Sequence, residues 1–118
     1  MGYCFGMQSC LFCQIVRGEA ASSTIYQDDL VVAFKDIHPQ APVHLLVCPR
    51  KHIATLNDVQ AEDAALISHM FQTARELAKE SGVHEKGYRT VFNVNRDGGQ
   101  TIFHLHLHII GGRPLSWP

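Results

Sequence analysis

The sequence predicts an α+β fold: an antiparallel sheet of about five strands, one long helix and a short N-terminal helix. Two observations carry this. Between Asp58 and Ser81, Leu66, Met70, Ala74, Leu77 and Ala78 recur every three or four positions, which marks one apolar face of a helix. The runs on either side instead alternate with period two or are short and continuously apolar, as strands are. No repeat, linker or low-complexity segment interrupts the chain, and 118 residues suffice for one core.

Taken in order, "SCLFCQIVRGE" has an N-cap candidate in Ser9, helical spacing of apolar residues and Gly18 as a stop, so it reads as a short helix. "STIYQDDLVVAFKDI" reads as two strands joined by a tight turn at Asp28-Asp29. "PQAP" breaks the pattern, and "VHLLVCP" is an apolar strand that Pro49 ends. The long helix is closed by Gly82. "YRTVFNVN" and "TIFHLHLHII" follow as two strands, with Asp97-Gly98 between them as a hairpin signal. Residues 1–8 are expected to form a leader and residues 9–118 the domain.

A net charge of −1 leaves no electrostatic footprint for nucleic-acid binding. No apolar run approaches the length that spans a bilayer. "MGYCFGMQSC" has neither the basic nor the long apolar region of a secretory signal, and Gly6 stands where myristoylation favours Ser or Thr. Met7 is a second candidate start. A cytoplasmic location is therefore expected, where the four cysteines are thiols and not a disulfide framework. Cys48, inside "HLLVCP", reads as a buried core thiol. The pair Cys10-Leu11-Phe12-Cys13 has the spacing of half a zinc site, although a redox pair or a plain buried pair fits it too.

The densest chemistry lies in "HLHLH", residues 104–108. Strand geometry puts His104, His106 and His108 on one face and Leu105 and Leu107 on the other, the leucines packing under the helix with Phe103 and Ile109. Three aligned imidazoles suit either of two tasks. They can ligate zinc, or a neutral imidazole can attack phosphorus while a neighbour hydrogen-bonds the phosphoryl oxygens or the leaving group. Gly98-Gly99 and Gly111-Gly112 permit close approach of backbone to a ligand. The spacing alone does not choose.

"HLHLHIIGG" fits the alternating motif of the histidine triad (HIT) superfamily. "AFKDIHPQAPVHLLVCPRKHI" and "GYRTVFNVNRDGGQTIFHLHLHIIGGRPLSWP" resemble its nucleotide-binding Hint branch in order and spacing, from about Ser9 onward. The resemblance implies the HIT-like fold. It implies a nucleoside 5′-phosphoramidate hydrolase, adenosine phosphoramidase-like and extending to aminoacyl-adenylates, that releases a nucleoside monophosphate through a nucleotidyl-histidine. His106 would be the nucleophile, His108 would bond the phosphate or leaving group, His44 would support the triad, and Thr101 would donate to the departing group. Asp36 would accept from the ribose hydroxyls. Asn93 and Gln100 would serve the phosphate, and Phe12, Ile15, Phe34 and Ile37 would wall the base.

The N-terminal C-x-x-C pair resembles that of bacterial triad proteins, which implies a structural zinc held by Cys10, Cys13, His52 and His104. No organic cofactor is implied. Expected partners are purine nucleoside monophosphates, their phosphoramidates and a second copy of the chain, toward which the tail with Trp117 would reach to influence the leaving group. The chain departs from its relatives at His38, where a small polar residue is usual, and at Asn95, where glycine is common. The rivals are a dinucleoside polyphosphate hydrolase or nucleotidyl transferase, and a nucleotide-binding adaptor with vestigial catalysis.

Overall fold

A strand that is apolar at nearly every position needs cover on both faces, and "VHLLVCP", polar only at His44, is such a run. In the computed structural model, which describes residues 10–117, this run is the central strand of a five-stranded antiparallel sheet. The strands are β1 (Thr24–Gln27), β2 (Val31–Lys35), β3 (Val43–Pro49), β4 (Tyr88–Val91) and β5 (Leu107–Gly111), in the spatial order β1-β2-β3-β5-β4. The helices are α1 (Leu11–Val16) and α2 (Ala64–Glu80), as the sequence patterns indicate. The expected leader and Ser9 lie outside the described residues.

Each face of β3 has its own cover. Leu45 and Val47, with Val31, Ala33, Leu105, Leu107 and Ile109, pack beneath Met70, Ala74, Leu77 and Ala78 of α2. Leu46 and Cys48, with Val32 and Phe34, pack against Phe12, Cys13, Ile15 and Val16 of α1. Period-two alternation in the strands therefore sorts side chains between two apolar cores. Residues directly opposite across an antiparallel pair share a face. Leu46 lies opposite both Phe34 and His108, so the histidines are on the α1 side.

Local chemistry sets the ends of the elements. The Cys10 sulfur accepts from the Cys13 N–H and so caps α1. Gly18 follows the helix with φ 76°, a conformation that costs glycine little. The Asp28 carboxylate accepts from the N–H groups of Leu30 and Val31, which closes the turn between β1 and β2. Before α2, reciprocal caps at Thr55/Asp58 and Gln60/Asp63 form two short 3₁₀ turns, so the α-helix begins at Ala64 and not at Asp58. Among the described residues no helix is long and apolar enough to cross a membrane.

The β4–β5 connection differs from the expected tight hairpin. β4 and β5 do pair antiparallel, but their ladder runs only from Tyr88↔Gly111 to Val91↔His108, and residues 92–106 form a long loop. The ladder with β3 also stops at Val47↔Leu107. Beyond it, Pro49 has no N–H to donate, and its carbonyl accepts from the His104 ring at 2.7 Å. Of the three histidines only His108 is therefore in a strand. Alternation nevertheless persists, with Leu105 and Leu107 in the α2 core. Phe103, expected beside them, is 47% exposed, because the chain has left the sheet there.

Met70 is 0% exposed at the centre of the α2 core. Met70→Ala should lower unfolding free energy by about 2–5 kcal/mol, read from urea denaturation, and a change within error would contradict this packing.

Candidate active site and metal centre

Hydrogen-bond donors and acceptors around the histidines determine which nitrogen carries each proton. His106 is 9% exposed, and its Nδ1 lies 2.7 Å from the His104 carbonyl oxygen. A carbonyl only accepts, so Nδ1 is the protonated nitrogen and Nε2 of the neutral ring holds the lone pair. Phe12 packs edge-on against this ring, with centroids 4.9 Å apart. On β3, His44 Nδ1 accepts from the Gln40 backbone N–H at 3.0 Å. Neutral His44 therefore carries its proton on Nε2, which lies 2.9 Å from His108 Nδ1. His108 Nδ1 accepts, which leaves His108 Nε2–H as a donor.

Burial, foremost among the causes, depresses the pKa of every one of these rings. It lowers His106, and it lowers His44 against the opposing pull of Asp36. His108 is pushed down to about 4, with His106 and His44 adding to the effect of burial. At neutral pH the group is therefore uncharged, with one exposed lone pair on His106 and one N–H donor on His108.

These rings border a cleft of about 460 Å³ beside α1. Phe12, Ile15, Phe34 and Ile37 contribute apolar surface, and Asp36, Asn93 and Thr101 polar groups. Ile37 is 77% exposed and belongs to the rim. Asn93 lines the cleft while its amide donates to the Gly98 carbonyl at 2.7 Å. Gln100 is placed differently from its expected role at the phosphate. It is 6% exposed, donates to the Ala54 and Ile102 carbonyls and accepts from the Asn95 N–H. Its amide holds the loop together and does not line the cleft, because the backbone at Asn95 turns with φ 58° and needs a partner inside the bend.

A second cluster adjoins the first through His104. The Sγ atoms of Cys10 and Cys13 and ring nitrogens of His52 and His104 all lie within 4.8 Å of one another. Cys13 Sγ is 3.1 Å from His52 Nδ1 and 3.4 Å from His104 Nδ1, and Cys10 Sγ is 3.5 Å from the latter. Tetrahedral zinc with ordinary bond lengths separates sulfur and nitrogen ligands by about 3.5 Å. His104 donates Nε2–H to the Pro49 carbonyl, leaving Nδ1 with its lone pair toward the sulfurs, the usual outer-shell arrangement of a metal-bound histidine. The donor set thus fits a closed zinc site. Binding of the metal requires the Cys10 and Cys13 sulfurs as thiolates.

Comparison with known proteins identifies the family. The HIT domain family profile matches residues 17–115. The chain is 48% identical over 106 residues to the purine nucleoside phosphoramidase of Escherichia coli K12, covering 90% of this chain and 89% of that protein. The chain belongs to the HIT family.

Among solved structures, a HIT family hydrolase from Legionella pneumophila superimposes with a TM-score of 0.91 at 50% identity, covering 92% of this chain and 97% of that one. A zinc-bound histidine triad protein from Mycobacterium smegmatis gives 0.78 at 37% identity, covering 92% and 78%. The HIT cleft here also uses residues that the sequence reading passed over. Leu46 lines it opposite His108, and its shared parity with His44 was the available signal. Gln40 acts through its main-chain N–H, which no side-chain pattern reveals.

Two expected outcomes test these placements. The reduced protein should take up one equivalent of zinc, and Cys13→Ser or His52→Ala should abolish stoichiometric uptake by metal analysis after dialysis. Gln100→Ala removes the buried amide that serves the backbone groups of Ala54, Asn95 and Ile102, and should cost about 1–3 kcal/mol in denaturant unfolding.

Proposed function

We propose that the chain hydrolyses purine nucleoside 5′-phosphoramidates, with the extension to aminoacyl-adenylates that a shared nucleotidyl intermediate would allow. The observation that carries the reading is the His106 Nδ1–H bond to the His104 carbonyl, which directs an unprotonated Nε2 to the reaction. The 48% identity to a protein named purine nucleoside phosphoramidase supports the substrate class.

In the first step His106 Nε2 attacks the α-phosphorus and the P–N bond breaks. The amine leaves after gaining a proton, for which the His108 Nε2–H and the Thr101 hydroxyl are the nearby donors. The nucleotidyl-imidazole carries a positive charge because Nδ1 keeps its hydrogen, and the His104 carbonyl stabilises it there. That charge makes the imidazole a good leaving group when water attacks the same phosphorus in the second step. The attacking water loses its proton to the donor that protonated the amine, the nucleoside monophosphate is released and neutral His106 returns, so one hard displacement becomes two easier ones. Asp36 would accept from the ribose hydroxyls, with Asn93 at the phosphate and Phe12, Ile15 and Phe34 against the flat face of the base.

Zinc on Cys10, Cys13, His52 and His104 would be structural, since four protein ligands leave no open position for substrate or water. When bound, it would brace the backbone around His104. A homodimer is proposed through α2 and the edge strand β4, which among the described residues has no strand on its outer side and so offers main-chain groups for pairing. A cytoplasmic setting suits the thiolate form of the metal site.

His106→Asn should lower turnover of adenosine 5′-phosphoramidate by at least about 10³-fold, as removal of one member of a covalent catalytic unit does. AMP should still bind, as followed by calorimetry. Substantial turnover in that variant would rule out the covalent route.

A further inference from the structure

His44 Nε2 carries one hydrogen and faces two acceptors. His108 Nδ1 is 2.9 Å away, and the Asp36 carboxylate oxygen Oδ2 is 3.3 Å away. The other sides of both groups are fixed. His44 Nδ1 accepts from the Gln40 N–H, so the ring cannot move its proton to Nδ1 without losing that bond. Asp36 Oδ1 accepts from the His38 N–H at 2.8 Å. Oδ2 is thus the oxygen left to compete for the His44 proton, and it belongs to a charged group, the stronger kind of acceptor. Asp36, His44 and His108 all border the one cleft.

This arrangement gives the sugar a means of reaching the phosphorus chemistry. A hydroxyl donating to Asp36 Oδ2 satisfies the carboxylate and weakens its pull on the His44 hydrogen. The hydrogen then commits to His108 Nδ1. Stronger donation into Nδ1 makes the imidazole a better donor at Nε2, because hydrogen bonds in a chain polarise one another. The metal reading of the same three side chains fails on the second shell. A metal on His44 Nε2 would need the hydrogen on Nδ1, where the Gln40 N–H already points.

We propose that Asp36 is a positioning residue that couples occupancy of the sugar site to the hydrogen bond donated by His108, so that ribose hydroxyls accelerate the chemical step as well as aiding binding. This rests on the phosphoramidase reading for its substrate, and specifically on ribose reaching Asp36. No proton is consumed or released by the switch. One hydrogen on His44 changes its dominant acceptor from a carboxylate oxygen to an imidazole nitrogen.

The experiment compares adenosine 5′-phosphoramidate with its 2′,3′-dideoxy analogue in single-turnover reactions at saturating enzyme. For the wild-type protein, loss of the hydroxyls should slow the first-order step by about fivefold or more, beyond any change in apparent affinity. In Asp36→Ala there is no competing carboxylate, and the two sugars should react at rates within about twofold of each other. A sugar effect confined to affinity in the wild type, or an equal slowing in both proteins, overturns the coupling. A second measurement needs neither a variant nor turnover. Nitrogen-detected NMR of the histidine rings should show the His44 Nε2–H and His108 Nδ1 resonances shifting with AMP and staying near their free positions with 2′,3′-dideoxy-AMP. Identical shifts with both nucleotides refute the proposal. Absence of wild-type turnover alone counts against the phosphoramidase reading, and the NMR comparison then decides the coupling by itself.

Discussion

The bond from His104 Nε2–H to the Pro49 carbonyl is the contact on which both sites depend. It orients one ring so that Nδ1 meets two sulfurs and a second histidine. It also occupies the last acceptor of β3, which helps end the sheet ladder there. The main-chain carbonyl of the same residue then receives the His106 Nδ1–H. One residue thus joins a metal-binding geometry, the end of a strand and the tautomer of the His106 ring. Burial makes these bonds consequential, since His104 is 0% exposed and an unpartnered polar atom there would be costly.

Parity organises the rest. Phe34, His44, Leu46 and His108 share the α1 side of the sheet by strand alternation and cross-strand register. The same alternation sends Val31, Leu45, Leu107 and Ile109 beneath α2. The cleft is therefore a continuation of the smaller core beside α1. Phe34, His44, Leu46 and His108 of its lining come from strands, Phe12 and Ile15 from α1, and Asn93, Thr101 and His106 from the loop between β4 and β5. That position also explains the neutral histidines, because the apolar packing that shapes the cleft desolvates their rings.

Much of this was legible in the sequence, for identifiable reasons. The helix at Ala64–Glu80 announced itself through Met70, Ala74 and Leu77, and β3 through an apolar run ending in proline. The convergence of Cys10, Cys13, His52 and His104 came from the family resemblance; spacing alone supported only the cysteine half. What was not legible depends on backbone hydrogen bonds. Asp97-Gly98 suggested a tight hairpin, but Gln100 folds inward to serve the carbonyls of Ala54 and Ile102 and the loop stays wide. Phe103 was assigned to the core because alternation was carried past the point where the ladder ends. Gln40 contributes a main-chain N–H, and any residue but proline supplies one.

The strand order has a consequence for how the chain reaches this state. β1, β2 and β3 are successive in sequence and adjacent in space, so they can assemble as a local meander. β5 must instead find β3 across the whole of α2 and β4, pairing residues such as Leu46 with His108. The Cys10–His104 contact closes a still longer span, 94 residues. Closing large loops is entropically slow to be rewarded. The β3–β5 loop lies inside the one that the cysteine–histidine cluster closes, so whichever forms first reduces the search for the other. By contact order, β5, into which the loop bearing His106 leads, is accordingly expected among the last parts of the sheet to become native.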